Sequence, residues 1–285
     1  MTTPLITVVG SVNLDLIAEC PHLPAPGETV LGGAFHTAPG GKGANQALAA
    51  RRLGADVDLI ACVGNDDHAA QALELLKAAG VALEQCRTRP GHATGVALIN
   101  VSETGDNQIV VAPGANTVLS PSDIPEIIDG ALIGQLETPV LALEAALKIC
   151  DGLKVVNLAP AMPLDDAFLK LADILVVNEV EAEFYGLERL NRLGNSVVLT
   201  LGAKGAVMFR EGKEVARAAP PIVDAIDTVG AGDTFVGALT VGFLEGKSDE
   251  EALAFACVAG ALATTKQGAQ PAIPDRAEIN LKAEL

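Results

Sequence analysis

A chain of 285 residues, 49% of them hydrophobic, can bury a full-sized core, which excludes an intrinsically disordered polymer. Only 3% of residues are aromatic and Trp is absent, so the core has to be assembled from Ala, Val, Leu and Ile, a palette that suits helices layered on a parallel sheet. With 36 acidic against 19 basic residues the formal charge is −17: phosphate backbones and anionic membranes are repelled, and a bound nucleotide would need backbone N–H groups and a divalent metal to hold it.

The N-terminus leads from Met1 and Thr2 straight into an apolar run, Ile6 to Val9, with no basic segment and no cleavage pattern, so a cytoplasmic protein is expected. Near-continuous apolar runs recur at Val57 to Cys62, Ala131 to Leu136, Val155 to Leu158, Ile174 to Val177 and Val197 to Leu201, the pattern of parallel strands covered on both faces. Helical stretches between them close at glycines such as Gly54 and Gly80. Two regions, Val12 to Thr37 and Thr94 to Ala112, are extended and lack a crossover helix. They are predicted to form a small sheet that acts as a lid. No linker, low-complexity tract or repeat divides the chain, so one domain over 1–285 is expected, with the lid an excursion inside it. Phe184 to Leu193 predicts about one helix.

The polar residues sort by spacing. Cys20, Cys62, Cys86, Cys150 and Cys257 show no C-x-x-C pair and are odd in number, so they are expected to be reduced and mostly buried. His22, His36, His68 and His92 do not form metal-ligand spacings. Tyr185 and the pairs Asp66-Asp67 and Asp165-Asp166 read as solvated or capping groups.

Two glycine-rich segments carry chemistry. Gly40-Gly41-Lys42-Gly43-Ala44-Asn45-Gln46 runs into an Ala-rich helix: its glycines let backbone approach a polyol, and Lys42 and Asn45 are donors for hydroxyls. The Walker A spacing is absent. Asp227-Thr228-Val229-Gly230-Ala231-Gly232-Asp233-Thr234-Phe235 opens a second helix. Small residues there leave N–H groups bare at the positive end of the helix dipole, and Asp233 stands at the lip of that anion hole, where it can take a proton. Taken singly, each segment is equally well a capped turn; two of them fitting one chemistry is the stronger pattern.

The two segments resemble the N-terminal and C-terminal signatures of the ribokinase family of PfkB-type carbohydrate kinases. The likeness extends from Gly10-Ser11-Val12-Asn13-Leu14-Asp15 to Gly268-Ala269-Gln270-Pro271. It implies a three-layer α/β/α fold with a mostly parallel central sheet and a small β-sheet lid. It implies an ATP-dependent kinase, most simply one that phosphorylates D-ribose at the 5-hydroxyl to give ribose 5-phosphate and ADP. A kinase for another furanose or a nucleoside, and a catalytically silent sugar sensor, are the alternatives.

By the same resemblance Asn13, Asp15, Gly41, Lys42, Gly43, Asn45 and Glu137 hold the sugar, and Asp233 is the base beside an anion hole of Gly230, Ala231 and Gly232. Asn178, Thr200, Gly202, Gly205 and Gly232 meet ATP, and Glu181 acts on Mg²⁺ through water. Asp227, Val229, Ala263, Lys266, Gly268 and Ala272 match the positions around a potassium-like cation. At Ala272 the family pattern often supplies a Ser hydroxyl, and the stretch from Asn178 to Thr200 is shorter than usual. A homodimer through the lid is also implied.

Overall fold

The computed structural model describes residues 3–283. Strand β1 (Leu5–Val9) is followed by β2 (Asn13–Cys20), β3 (Phe35–Gly40), α1 (Lys42–Arg52) and β4 (Asp56–Gly64). Next come α2 (Asp67–Ala72), α3 (Glu74–Ala79), β5 (Cys86–Arg89), β6 (Gly95–Ser102), β7 (Asn107–Ala112) and β8 (Ala131–Gly134). The middle of the chain forms α4 (Val140–Ile149), β9 (Lys154–Asn157), α5 (Asp166–Leu169), β10 (Ile174–Asn178), α6 (Glu179–Tyr185), α7 (Leu187–Asn191) and β11 (Ser196–Thr200). It closes with β12 (Ala206–Arg210), β13 (Lys213–Ala218), α8 (Ala231–Leu244), α9 (Asp249–Ala263), α10 (Ala269–Ala272) and α11 (Arg276–Ala283).

All six apolar runs become strands of one nine-stranded sheet, in the order β13-β12-β11-β10-β9-β8-β1-β4-β5. From β11 to β5 every pairing is parallel; β12 and β13 turn antiparallel at one edge. Alternate residues of each strand serve opposite layers. Ile6, Val8, Leu59 and Val176 pack on α1, α8 and α9, whereas Val9, Ile60, Leu132 and Val177 pack on α4, α5 and α7. The fold is therefore the expected three-layer α/β/α arrangement. Polar edge strands such as β5 (Cys-Arg-Thr-Arg) carry no apolar run and were invisible to the periodicity.

The two extended regions pair as a separate four-stranded sheet, β3-β2-β6-β7. Its exposed side carries apolar residues, among them Phe35, Leu98 and Val110. Only three residues separate the end of β1 from the start of β2, so the small sheet springs directly from the carboxyl end of the main sheet.

Small residues let α1 and α8 lie close together. A Cβ added at Gly237 would stand 2.8 Å from the Ala49 Cβ and 3.0 Å from the Ala50 nitrogen. Gly237→Val should therefore wedge the helices apart and lower stability by about 1–3 kcal/mol, the usual cost of overpacking, read as an earlier urea midpoint at unchanged m-value.

Asp66 and Asp165 cap α2 and α5 as expected, accepting from the N–H groups of Ala69 (3.0 Å) and Phe168 (2.8 Å). Tyr185 is not solvated: it is 3% exposed, and its hydroxyl donates to the Met162 carbonyl at 2.8 Å. Nor is 184–193 one helix. Gly186 (φ 77°) separates α6 from α7, because the left-handed residue ends the first helix where the apolar pattern alone would continue it. The five cysteines are free thiols, four of them buried. Among the described residues no helix is long and apolar enough to cross a membrane.

Candidate active site

The loop leaving β1 and the start of α1 are laced together. Gly41 adopts φ 90°, and a Cβ there would stand 2.7 Å from the Asn13 nitrogen, so only glycine permits the approach. The Ala44 N–H donates to the Ser11 carbonyl (2.9 Å) and the Gly43 N–H to the Ser11 hydroxyl oxygen (3.4 Å). The Lys42 N–H donates to Glu137 Oε2 at 3.2 Å, and the Ser11 hydroxyl donates to the same oxygen at 2.5 Å. The first-turn amides of α1 are thus consumed by the protein. Gly43 is buried against Gly10 and Ser11 and packs rather than facing an open pocket.

Helix α8 is the opposite case. Gly230 is its left-handed N-cap (φ 78°), and Ala231 N–H donates to the Thr228 carbonyl at 3.3 Å. The N–H groups of Gly232 and Asp233 have no acceptor among the described residues. An anion is therefore offered two bare amides at the positive end of a 14-residue helix, and Ala231 drops out of the expected set of donors. Asp233 does not cap this helix. Its carboxylate, 6% exposed, accepts from Asn45 Nδ2 on Oδ2 and from Gln46 Nε2 on Oδ1, each at 2.9 Å. The close packing of α1 on α8 is what brings these amides into reach.

The predicted polyol residues converge from three parts of the fold. Asn13 and Asp15 come from β2, Lys42 and Asn45 from α1, and Glu137 from the turn after β8. Asn116 Nδ2 donates to Asn13 Oδ1 at 2.8 Å, which leaves the Asn13 amino group as the part free to donate to a ligand. Asp15 is 7% exposed, and its carboxylate accepts no hydrogen bond from the described residues. Burial, then the neighbouring Glu137, Asp233 and Asp227 carboxylates, push its acid up from 3.8 to about 7. Asp233 foremost holds the Lys42 ammonium above its ordinary value against the opposing effect of burial, with Glu137 and Glu181 adding to the rise. Lys42 thus faces both halves of the site.

A cavity of about 240 Å³ opens beside Asp233, lined by Lys42, Asn178, Glu181, Thr200, Gly230 and Gly232 together with Asn157 and Thr228. Asn178 and Glu181 form a reciprocal cap. Each backbone N–H donates to the other's side-chain oxygen at 2.8 Å, and burial raises the Glu181 acid. Gly202 and Gly205 fall outside the lining. They form the turn between the antiparallel β11 and β12, closed by Leu201 N–H donating to Gly205 O at 2.7 Å.

The expected monovalent-cation positions gather around Asp227, whose two oxygens accept from Val229 N–H (3.0 Å) and Gly268 N–H (2.8 Å). Ala263 ends α9, immediately before the Thr264 carbonyl that accepts from Asp227 N–H. The Lys266 ammonium points away to Glu278 (2.8 Å), and Ala272 is fully buried without a side-chain oxygen.

Against models of known families, residues 3–276 match the pfkB family carbohydrate kinases. The chain belongs to this family. The Haemophilus influenzae ribokinase is 40% identical over 296 residues, covering 96% of both chains. Among solved structures of the family, the Arabidopsis thaliana ribokinase complexed with ribose and ATP superposes with a TM-score of 0.88 at 30% identity, over 100% of each chain. A Methanocaldococcus jannaschii nucleoside kinase reaches 0.86 at only 17% identity, covering 99% of each chain, a likeness of fold alone.

Sequence reasoning missed Gln46, Gln135, Ser11 and Asn116. Gln46 lies inside the glycine-rich segment already singled out, where its neighbour Asn45 drew attention. The other three signal themselves only through partners distant in sequence, such as the 126 positions between Ser11 and Glu137.

Proposed function

We propose that the chain is an ATP-dependent ribose kinase, one domain over 1–285 whose small sheet closes as a lid over the sugar, working in the cytoplasm. The observation that carries this is the pairing, at one helix mouth, of the oriented Asp233 carboxylate with the bare N–H groups of Gly232 and Asp233. In this mechanism Asp233 accepts the proton of the sugar's 5-hydroxyl, and the freed oxygen attacks the γ-phosphorus of ATP in line. ADP leaves and ribose 5-phosphate forms. The Gly232 and Asp233 amides and Lys42 offset negative charge on the transferring group. Asn13 donates to the sugar, and Asp15 and the free oxygen of Glu137 accept from it, which fixes the reacting hydroxyl at Asp233.

Mg²⁺ keeps several waters and few protein ligands, and Glu181 suits that role, since only its Oε2 is committed to a hydrogen bond. Asn178 and Glu181 would hold the hydrated ion, which neutralises phosphate charge when bound. Potassium would be held mostly by backbone carbonyls around Asp227, with one oxygen fewer at Ala272. The apolar exposed side of the small sheet fits a homodimer joined through the lid.

Support for ribose over a nucleoside comes from the 40% identity of the Haemophilus influenzae ribokinase, against 17% for the nucleoside kinase of similar shape. ADP release measured across ribose, deoxyribose, fructose and nucleosides, with and without potassium, tests it; a higher kcat/KM for a nucleoside would reject the ribose assignment. Lys42→Ala is expected to raise the KM for sugar about tenfold or more, the scale of a lost charge-assisted hydrogen bond. Because Lys42 also faces Glu181, the KM for ATP should rise with it. An unchanged kcat together with an unchanged KM for both substrates would remove Lys42 from the site.

A further inference from the structure

Gln46 and Gln135 are both 0% exposed, and neither belongs to the sugar or nucleotide constellation described above. Gln135 Nε2 donates to Gln46 Oε1 at 2.6 Å, and Gln46 Nε2 donates to Asp233 Oδ1 at 2.9 Å. Because its oxygen is occupied by Gln135, the Gln46 amide can present only its amino group to Asp233. Gln135 cannot swing away, since its Oε1 is packed against Gly10, where any Cβ would collide with it. That oxygen has no hydrogen-bond partner, so burying this amide carries an uncompensated polar cost that packing alone does not explain.

We propose that Gln135 and Gln46 form a buried amide relay that holds the Asp233 carboxylate aimed at the sugar hydroxyl, making both of them positioning residues for the phosphoryl transfer. The relay rests on the assignment of Asp233 as base. A donor locked onto Oδ1 fixes the rotation of the carboxylate, leaving the remaining lone pairs for the incoming proton. Asn45 holds the other oxygen but lies beside the sugar residues, so the constant support comes from the Gln46 side.

The test uses two variants of nearly unchanged shape. Gln46→Met removes the donor, and Gln135→Glu puts an acceptor where the relay needs a donor, competing with Asp233 for the Gln46 amino group. The other charged groups facing Asp233, namely Asp15 on β2, Lys42 on α1 and Glu181 on α6, stay in place. Each variant is expected to lower kcat about 10- to 100-fold, the scale of one hydrogen bond to a charged group. The sugar KM should stay within about threefold, a factor worth well under 1 kcal/mol, so the loss appears in kcat and not in KM. Sugar titrations by calorimetry confirm that both variants fold and bind.

Wild-type kcat in both variants, alongside an inactive Asp233→Asn enzyme, would overturn the relay and leave the base assignment standing. Turnover by Asp233→Asn would overturn the base assignment itself. A loss confined to sugar KM would place the two glutamines in substrate binding and overturn the positioning role.

Discussion

Asp233→Asn is expected to bind ATP and ribose with near-normal affinity while kcat falls roughly 10²-fold or more, the scale of losing a general base. The substitution keeps the size of the side chain, and the rest of the cavity lining and the Gly232 N–H are unchanged. What it removes is a carboxylate whose two oxygens accept from Asn45 and Gln46 and which stands at the mouth of α8. Steady-state kinetics with ribose varied at saturating ATP distinguish the effects: a fall in kcat at constant KM marks an interaction made in the transition state. Retained turnover would mean that some other group takes the proton.

Asp15→Asn is expected to act in opposite directions on stability and on binding. In the folded protein the Asp15 acid is raised from 3.8 to about 7, chiefly by burial and then by Glu137 and Asp233. Between those values the native state holds a proton that the unfolded chain has released, so the contribution of Asp15 to stability is full at low pH and is lost as pH rises through about 7. The Asn variant escapes that loss. At pH 8 it should be more stable by up to roughly 4 kcal/mol, about three units at about 1.4 kcal/mol each, and the advantage should vanish near pH 4. Urea unfolding at both pH values measures this, and an equal stability difference at both would contradict it.

Sugar affinity should drop in the same variant, because an acceptor for hydroxyls is gone, and the wild-type KM for ribose should rise as pH falls from 8 to 6 and Asp15 takes up its proton. A site that destabilises the empty protein in order to hold its ligand is the familiar trade of stability for function.

The parallel strands were legible because a strand buried on both faces must be apolar at nearly every position: Ile174 to Val177 is apolar throughout, and Ile6 to Val9 is broken only by the buried Thr7. The small sheet was legible through the missing crossover helices. What the periodicity could not show is where apolar and polar demands mix: β12 and β13 at the sheet edge, the break at Gly186, and Tyr185, whose hydroxyl is buried because Met162 satisfies it.

In the site, the glycines and charged residues advertised themselves by type and spacing. Whether a bare helix terminus stays bare did not. The amides of α1 and α8 look alike in sequence, yet Ser11 and Glu137 fill the first set and only the second remains open. Buried amides such as Gln135, which meets Gln46 from 89 positions away, depend on tertiary contact that no local pattern records.

The most direct test is the structure of the product, by phosphorus NMR of a reaction holding the enzyme, ATP, Mg²⁺ and D-ribose. A sugar phosphate whose phosphorus couples to both protons of C5, formed together with ADP, is the expected result. ADP formation that ignores ribose, or a phosphate coupled to the single anomeric proton, would contradict transfer to the primary hydroxyl at Asp233.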